Sequence, residues 1–407
     1  MHAPAGGCAS RRRKRYSALD WRVFMKDLSP AVHLRQAWVI WAALLLVSFL
    51  RGQTPSDAIA LEGQGRLDEA ARAWRAVIAR NPDDAPALAS LGVVLSKEQK
   101  YEEAASAYKT ALSLNPNLPG TRLNLGLAEF KQGSFEAAIP AFRAVLSSDP
   151  HHGQATTLLG LSCYGARRFA EATKYLEAAN KLDPANAELR EVLAQSCLWA
   201  KKYSCALDQF RQILRQNPNS AAAHMLTGEA LDGLQKTPEA IAEFQAAAKA
   251  SADEPNVHFG LGYLYWKSHQ YDEAEREFQR QLAIDPKHAQ ALAYLGDIEM
   301  KRSNLDDAIS LLRQSVSTKD NVRLAYLDLG AILMEQKHYD EAVTMLQRAV
   351  KLDGTQPDAH YRLARVYQAM GNTAEAKKAF AEVRELHRRA DEPLASKISD
   401  APPPLPQ

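Results

Sequence analysis

The side chains of this 407-residue chain best suited to covalent or metal chemistry are four cysteines and eleven histidines. The cysteines are Cys8, Cys163, Cys197 and Cys205. A thiolate can attack, ligate a metal or close a disulfide. Attack needs a base brought beside it, and a structural zinc site needs ligands at short, paired spacings. Cys163 and Cys197 stand 34 residues apart, and Cys197 and Cys205 enclose the seven residues Leu-Trp-Ala-Lys-Lys-Tyr-Ser. The histidines are scattered. His151 and His152 are adjacent, but no cysteine or carboxylate stands at ligand spacing from them. There is no glycine-rich phosphate loop, nucleophile elbow or His-Glu-x-x-His. Acidic runs such as Tyr101-Glu102-Glu103 and Tyr271-Asp272-Glu273 suit the first turns of helices, where carboxylates meet the positive end of the dipole. The sequence therefore predicts no catalytic residue, no cofactor and no metal.

Charge narrows the partners. Residues 1–52 hold nine Lys or Arg and two acids, which leaves 41 bases against 46 acids in residues 53–407. A sequence-independent grip on phosphates needs clustered excess cations, so nucleic acid is not expected as a partner. Apolar residues make up 46% and aromatics only 8%, with alanine throughout, which favours close-packed helices over a sheet sandwich.

The elements that would position any site come from repetition. Pro82, Pro116, Pro150, Pro184 and Pro218 are each 34 residues apart, and Pro286 falls two periods later. Ten alanines keep the same interval: Ala70, Ala104, Ala138, Ala172, Ala206, Ala240, Ala274, Ala308, Ala342 and Ala376. Gly92, Gly126, Gly160, Gly228, Gly262, Gly296 and Gly330 form a third lattice, with Ala194 and Ala364 in the gaps. A fourth is large and apolar, running from Trp74 and Tyr108 through Phe142, Leu176, Phe210, Phe244, Phe278, Leu312 and Leu346 to Phe380. Glycine inside a helix costs about 1 kcal/mol relative to alanine, so its repeated use implies close helix approach. The large position is expected to fill the gap to the next unit. The proline ends each second helix.

This pattern resembles the tetratricopeptide repeat, as the unit Ala85–Leu118 (APALASLGVVLSKEQKYEEAASAYKTALSLNPNL) illustrates. The resemblance covers residues 53–390, in ten units starting near 51, 85, 119, 153, 187, 221, 255, 289, 323 and 357. It implies an all-α, right-handed superhelical solenoid of helical hairpins, with a degenerate first unit and a charged capping helix. The first helices then line a concave side that holds a protein or peptide. The inward positions include Phe259, Tyr263, Trp266, Met300, Leu327, Met334, Tyr361 and Arg365, with a second apolar patch of Leu123, Leu127, Phe130, Leu161 and Tyr164. Packing against neighbouring helices is the alternative role for each. The lysine, arginine and asparagine set with which some members clamp a terminal carboxylate is not assembled: Asn124 and Lys131 lack companions in the next unit. Cys197 and Cys205 flank the turn of one hairpin and resemble the disulfide staple of Sel1-like repeats; two buried small hydrophobes are the other reading.

Ala37–Leu50 is uncharged and apolar, with Arg35 before and Arg51 after. Fourteen residues are short for a membrane span and suit the core of a secretory signal, with Met25 as a second candidate start. A cleaved signal and an uncleaved anchor both stay open, since no Ala-x-Ala follows. Either places the array outside the cytoplasm, and membrane contact is expected only through this segment. Residues 391–407 turn proline-rich and are expected to be disordered. The expected function is a non-catalytic protein-binding scaffold in a bacterial envelope. The alternatives are an accessory subunit of an enzyme such as a glycosyltransferase, or a structural spacer in a secretion or outer-membrane assembly.

Overall fold

The structure is a computed structural model that describes residues 54–399, with side chains to residue 389. The apolar segment 37–50 and the end of the tail, 400–407, lie outside the described residues. Contacts divide the chain at Gln132 into two units.

The first unit carries α1 (Pro55–Gly63), α2 (Leu67–Arg80), α3 (Ala85–Lys97), α4 (Tyr101–Leu114) and α5 (Thr121–Lys131). The second begins with α6 (Phe135–Ser148), α7 (Gly153–Gly165), α8 (Phe169–Leu182), α9 (Ala187–Trp199), α10 (Tyr203–Gln216), α11 (Ala221–Gly233) and α12 (Thr237–Ala250). It continues with α13 (Val257–Lys267), α14 (Tyr271–Ile284), α15 (Ala289–Lys301), α16 (Leu305–Thr318), α17 (Arg323–Glu335), α18 (Tyr339–Leu352), α19 (Pro357–Ala369) and α20 (Thr373–Ser399). No strand occurs among the described residues. Within each unit, helices pair as antiparallel hairpins and each second helix packs on the next first helix.

The alanine lattice explains the hairpin geometry. Nine of its ten members, Ala70 to Ala342, have no exposed surface, and Ala376 has 5%. The glycine lattice meets the large lattice inside the same hairpin. A Cβ at Gly262 would lie 2.6 Å from Phe278, one at Gly296 2.6 Å from Leu312, and one at Gly92 2.5 Å from Tyr108. The large side chain therefore occupies the space its own unit's glycine leaves, a correction to the expectation that it mainly fills the gap to the next unit. Phe244 does both, since it also crowds Gly260 of the following unit.

A further lattice was not read from the sequence. Gly65, Gln99, Gly133, Arg167, Lys201, Gln235, His269, Ser303, Lys337 and Gly371 all take positive φ, between 57° and 81°. Each sits in the turn between two consecutive helices, in the conformation that glycine adopts without strain. Seven residues of five other types accept it here because the flanking helices hold the turn in place. Side-chain caps recur at the other turn: Asp84, His152, Asn186, Ser220 and His288 each accept a backbone N–H three residues on.

The first hairpin, read as degenerate, opens on the nine-residue α1, and a complete capping box in which Thr54 and Asp57 bond each other's backbone fixes its start. At the other end, α20 runs to Ser399, past the tail boundary expected at 391.

Candidate functional site

The first helices of neighbouring hairpins approach one another: α7 with α9, α9 with α11, α13 with α15, α15 with α17, and α17 with α19. They line an inner face in the second unit, and the variable side chains of each helix's open stripe meet there.

Phe259, Tyr263 and Trp266 share one face of α13, as their i, i+4, i+7 spacing requires. They do not stand alone. Tyr294 of α15 reaches across and packs against all three, with ring centroids 5.9, 5.8 and 4.9 Å away, and stacks on Phe278 at 5.4 Å. Offset and edge-on geometries of this kind add to the stabilisation from buried area. The cluster is half-buried, so it presents ring edges and faces rather than an open slot.

Charge is threaded through the aromatics. Trp266 donates its indole N–H to Asp297 Oδ2 at 2.5 Å. Lys301, one turn on, donates to the same oxygen at 2.6 Å, and its ammonium lies 5.5 Å from the Trp266 ring centre. Asp297 is 3% exposed and Asp328 of α17 is 2% exposed. Asp328 Oδ2 is fully buried and has no hydrogen-bond partner. Burial, and then the neighbouring Asp297, push its carboxyl up to about 7. The Tyr294 hydroxyl is pushed up to about 12, first by burial and then by the charges around it. Toward α11, partial loss of water raises the carboxyl of Glu229, and Lys267 of α13 pairs with Asp232 at 2.6 Å.

Of the other inward residues, Met300 and Met334 are half-buried and Leu327 is buried at 6% exposure among Leu333, Leu346 and Leu363. Tyr361 and Arg365 of α19 are exposed, with the Tyr361 ring 6.1 Å from Phe380. The second apolar patch is split by the unit boundary. Leu123, Leu127 and Phe130 are half-buried on α5 of the first unit. Leu161 and Tyr164 are half-buried on α7 of the second, where Tyr164 stacks on Trp199 at 5.6 Å and donates to Gln195 at 2.5 Å.

Cys197 and Cys205 are bonded, with Sγ atoms 2.01 Å and Cα atoms 5.8 Å apart, and tie α9 to α10. Glu177 lies near both sulfurs, the one grouping of potential metal ligands among the described residues; joined to each other, the sulfurs leave it a lone carboxylate. Cys163 is a buried thiol that burial raises to about 11, which keeps it protonated and unreactive.

Family profiles described as tetratricopeptide repeat match residues 57–119, 123–187 and 259–323, and residues 164–230 and 333–397. The chain belongs to the tetratricopeptide-repeat family. No curated protein matches it. Among solved structures, yeast Tom70 aligns at 14% identity over 85% of this chain and 98% of its own, with a TM-score of 0.38. YrrB, described as a TPR protein with an unusual peptide-binding site, aligns at 20% identity over 46% of this chain and 97% of its own, TM-score 0.35. MamA aligns at 19% identity over 40% and 96%, TM-score 0.35.

Within this tetratricopeptide array the sequence reading found the stripe on α13 but missed what closes it. Tyr294, Asp297 and Asp328 sit at inner positions of later units, and only their depth distinguishes them. Trp199, 48% exposed and flanked by Tyr164 and Phe169, was also missed. Its signal was available: it occupies the last inner position of its helix, as Lys267 and Lys301 do in theirs.

Proposed function

We propose that this chain is a protein-binding scaffold that holds a segment of its partner against the inner face of the second unit, between α13 and α19. The observation that carries the reading is the run of half-buried or exposed apolar side chains along that face: Phe259, Tyr263, Trp266, Met300, Met334 and Tyr361. Aromatic and methionine side chains left accessible side by side gain from covering by another protein, and methionine adapts to varied shapes. The residues named here contain no base–nucleophile pair, so the face is suited to holding rather than reacting. The bonded Cys197 and Cys205, together with the apolar leader 37–50, support a place outside the cytoplasm, in the cell envelope, where such bonds persist.

The test uses residues whose change spares the fold. Tyr361→Ser with Arg365→Glu alters two exposed side chains of α19, and Arg313→Glu alters an exposed side chain of the second helix α16. Partner recovered from the native host by affinity capture and identified by mass spectrometry is expected to fall with the α19 pair and to persist with Arg313→Glu. Equal recovery from all three proteins overturns the inner-face reading. Fractionation that finds the chain only in the cytoplasm with Cys197 and Cys205 reduced overturns the envelope placement.

A further inference from the structure

Among the described residues of the second unit, Asp328 is the carboxylate with a buried oxygen that no hydrogen bond reaches. It lies on the inner face of α17, it is 2% exposed, and its Oδ2 has no donor. Burying a carboxyl without a partner is unfavourable, and native proteins seldom keep one without a use. Asp297, in the preceding unit, shows what an answered carboxylate looks like here. It receives the Trp266 indole and the ammonium of Lys301, four residues on in the same helix. The residues a helical turn from Asp328 are Leu324, Ala325, Ala331 and Ile332, and none carries a donor side chain.

The charges around Asp328 do not complete it. Four groups act on it through space: Asp297 and Asp358 against ionisation, Lys301 and Arg362 in favour. Lys301 is held by Asp297, and Asp358 is held by Arg323. Arg362, on α19, makes no hydrogen bond to Asp328 Oδ2. Tyr294, whose hydroxyl feels the Asp328 charge, offers ring surface on that side, and Trp266 packs on Tyr294 with centroids 4.9 Å apart. Lys301 already shows an ammonium resting near this pair, 5.5 Å from the Trp266 ring centre. An acid oxygen without a donor, next to an aromatic wall that tolerates a cation, is complementary to a basic side chain.

We propose that Asp328, with Asp297 and the Trp266–Tyr294 wall, forms a subsite that takes one lysine or arginine side chain of the partner segment lying on the inner face. The proposal rests on the protein-binding reading and gives it a chemical preference: an apolar segment with a single basic residue. The flanking apolar side chains of the segment cover the aromatics while the basic one reaches the acid. Binding then has a proton signature, because Asp328 holds its proton near neutral pH and must release it when a cation arrives.

The test uses the full chain and two sets of acetylated, amidated nonapeptides with aromatic and aliphatic flanks. The sets differ only at the central residue, arginine in one and its neutral isostere citrulline in the other. Fluorescence anisotropy is expected to show the arginine set binding about tenfold more tightly, as a charge-assisted bond to a buried acid allows. Asp328→Asn, which keeps the side-chain shape and removes an unpartnered charge, is expected to bring the two sets within about twofold of each other. Calorimetry at pH 6.5 in phosphate and in Tris is expected to give buffer-dependent enthalpies for the arginine set, and none for Asp328→Asn. Equal binding of both sets by the unaltered chain overturns the subsite and leaves the groove standing. A preference for arginine that survives Asp328→Asn also overturns it. Binding of neither set overturns subsite and groove together.

Discussion

The indole nitrogen of Trp266 and Oδ2 of Asp297 lie 2.5 Å apart and join the first helices of two successive hairpins. The bond spans 31 residues, and Tyr164 and Gln195 repeat the same relation three hairpins earlier at 2.5 Å. Trp266→Phe keeps ring packing and removes the donor from a buried carboxylate. A loss of about 1–3 kcal/mol is expected. Hydrogen exchange on α13 and α15 should report it locally, since repeat arrays respond unit by unit. Unchanged protection in both helices would show the bond to be incidental.

Glycines separate into two kinds by what surrounds them. A Cβ at Gly262 would stand 2.6 Å from the Phe278 ring, whereas one at Gly63, at the end of α1, meets nothing within 4 Å. Gly262→Ala is expected to destabilise by about 1–3 kcal/mol through overpacking. Gly63→Ala is expected to stabilise by about 0.5–1 kcal/mol through helix preference alone. Thermal melts of the two variants should move in opposite directions.

Ser303 holds φ at 64° in the turn between α15 and α16, a conformation that costs a residue with Cβ about 1–2 kcal/mol. Ser303→Gly is expected to raise the melting temperature, while Gly371→Ser, at the equivalent turn, lowers it. A fall in both would mean that the serine side chain stabilises its turn.

Stability should fall as pH rises through the range in which Asp328 titrates. Its carboxyl is raised from 3.8 to about 7, so the folded state keeps a proton that the unfolded state sheds. The penalty is absent below about pH 4, grows between the two values and is complete above the folded one; each unit is worth about 1.4 kcal/mol. Asp328→Asn does not titrate there. Its advantage over the parent is expected to be small at pH 4 and on the order of a few kcal/mol at pH 8. Denaturation curves with the same difference at both pH values would exclude the shift.

Closing the short loop between Cys197 and Cys205 is expected to stabilise the α9–α10 hairpin by about 2–3 kcal/mol in the loop-entropy view. Paired Cys→Ser substitution should lower the local unfolding temperature by the corresponding amount. Non-reducing peptide mapping of protein isolated from the native host should recover Cys197 and Cys205 in one cross-linked species, with Cys163 alkylated only after denaturation. Recovery of all three thiols unpaired would contradict the bond.

The repeating part of this protein is legible in the chain alone. Unit length, helix pairing, and the small and large positions all recur ten times at one interval, so Ala274 or Phe278 is read with the support of every equivalent residue. The physical cause is local: Gly262 and Phe278 meet within one hairpin, at a separation the repeat itself holds constant. The inner face obeys no such rule. Phe259, Tyr263 and Trp266 could be placed on one side of a helix by spacing, but their closure by Tyr294 depends on contacts between units, where each residue is unique. The same holds for Asp328, whose burial comes from the helices on either side and whose lack of a donor depends on where Lys301 and Arg362 direct their charges. The turn lattice is intermediate. Its position is fixed by register, yet Arg167, Lys201 and Lys337 carry no sign of left-handed backbone, because the packed helices around them, and not their own preferences, impose it.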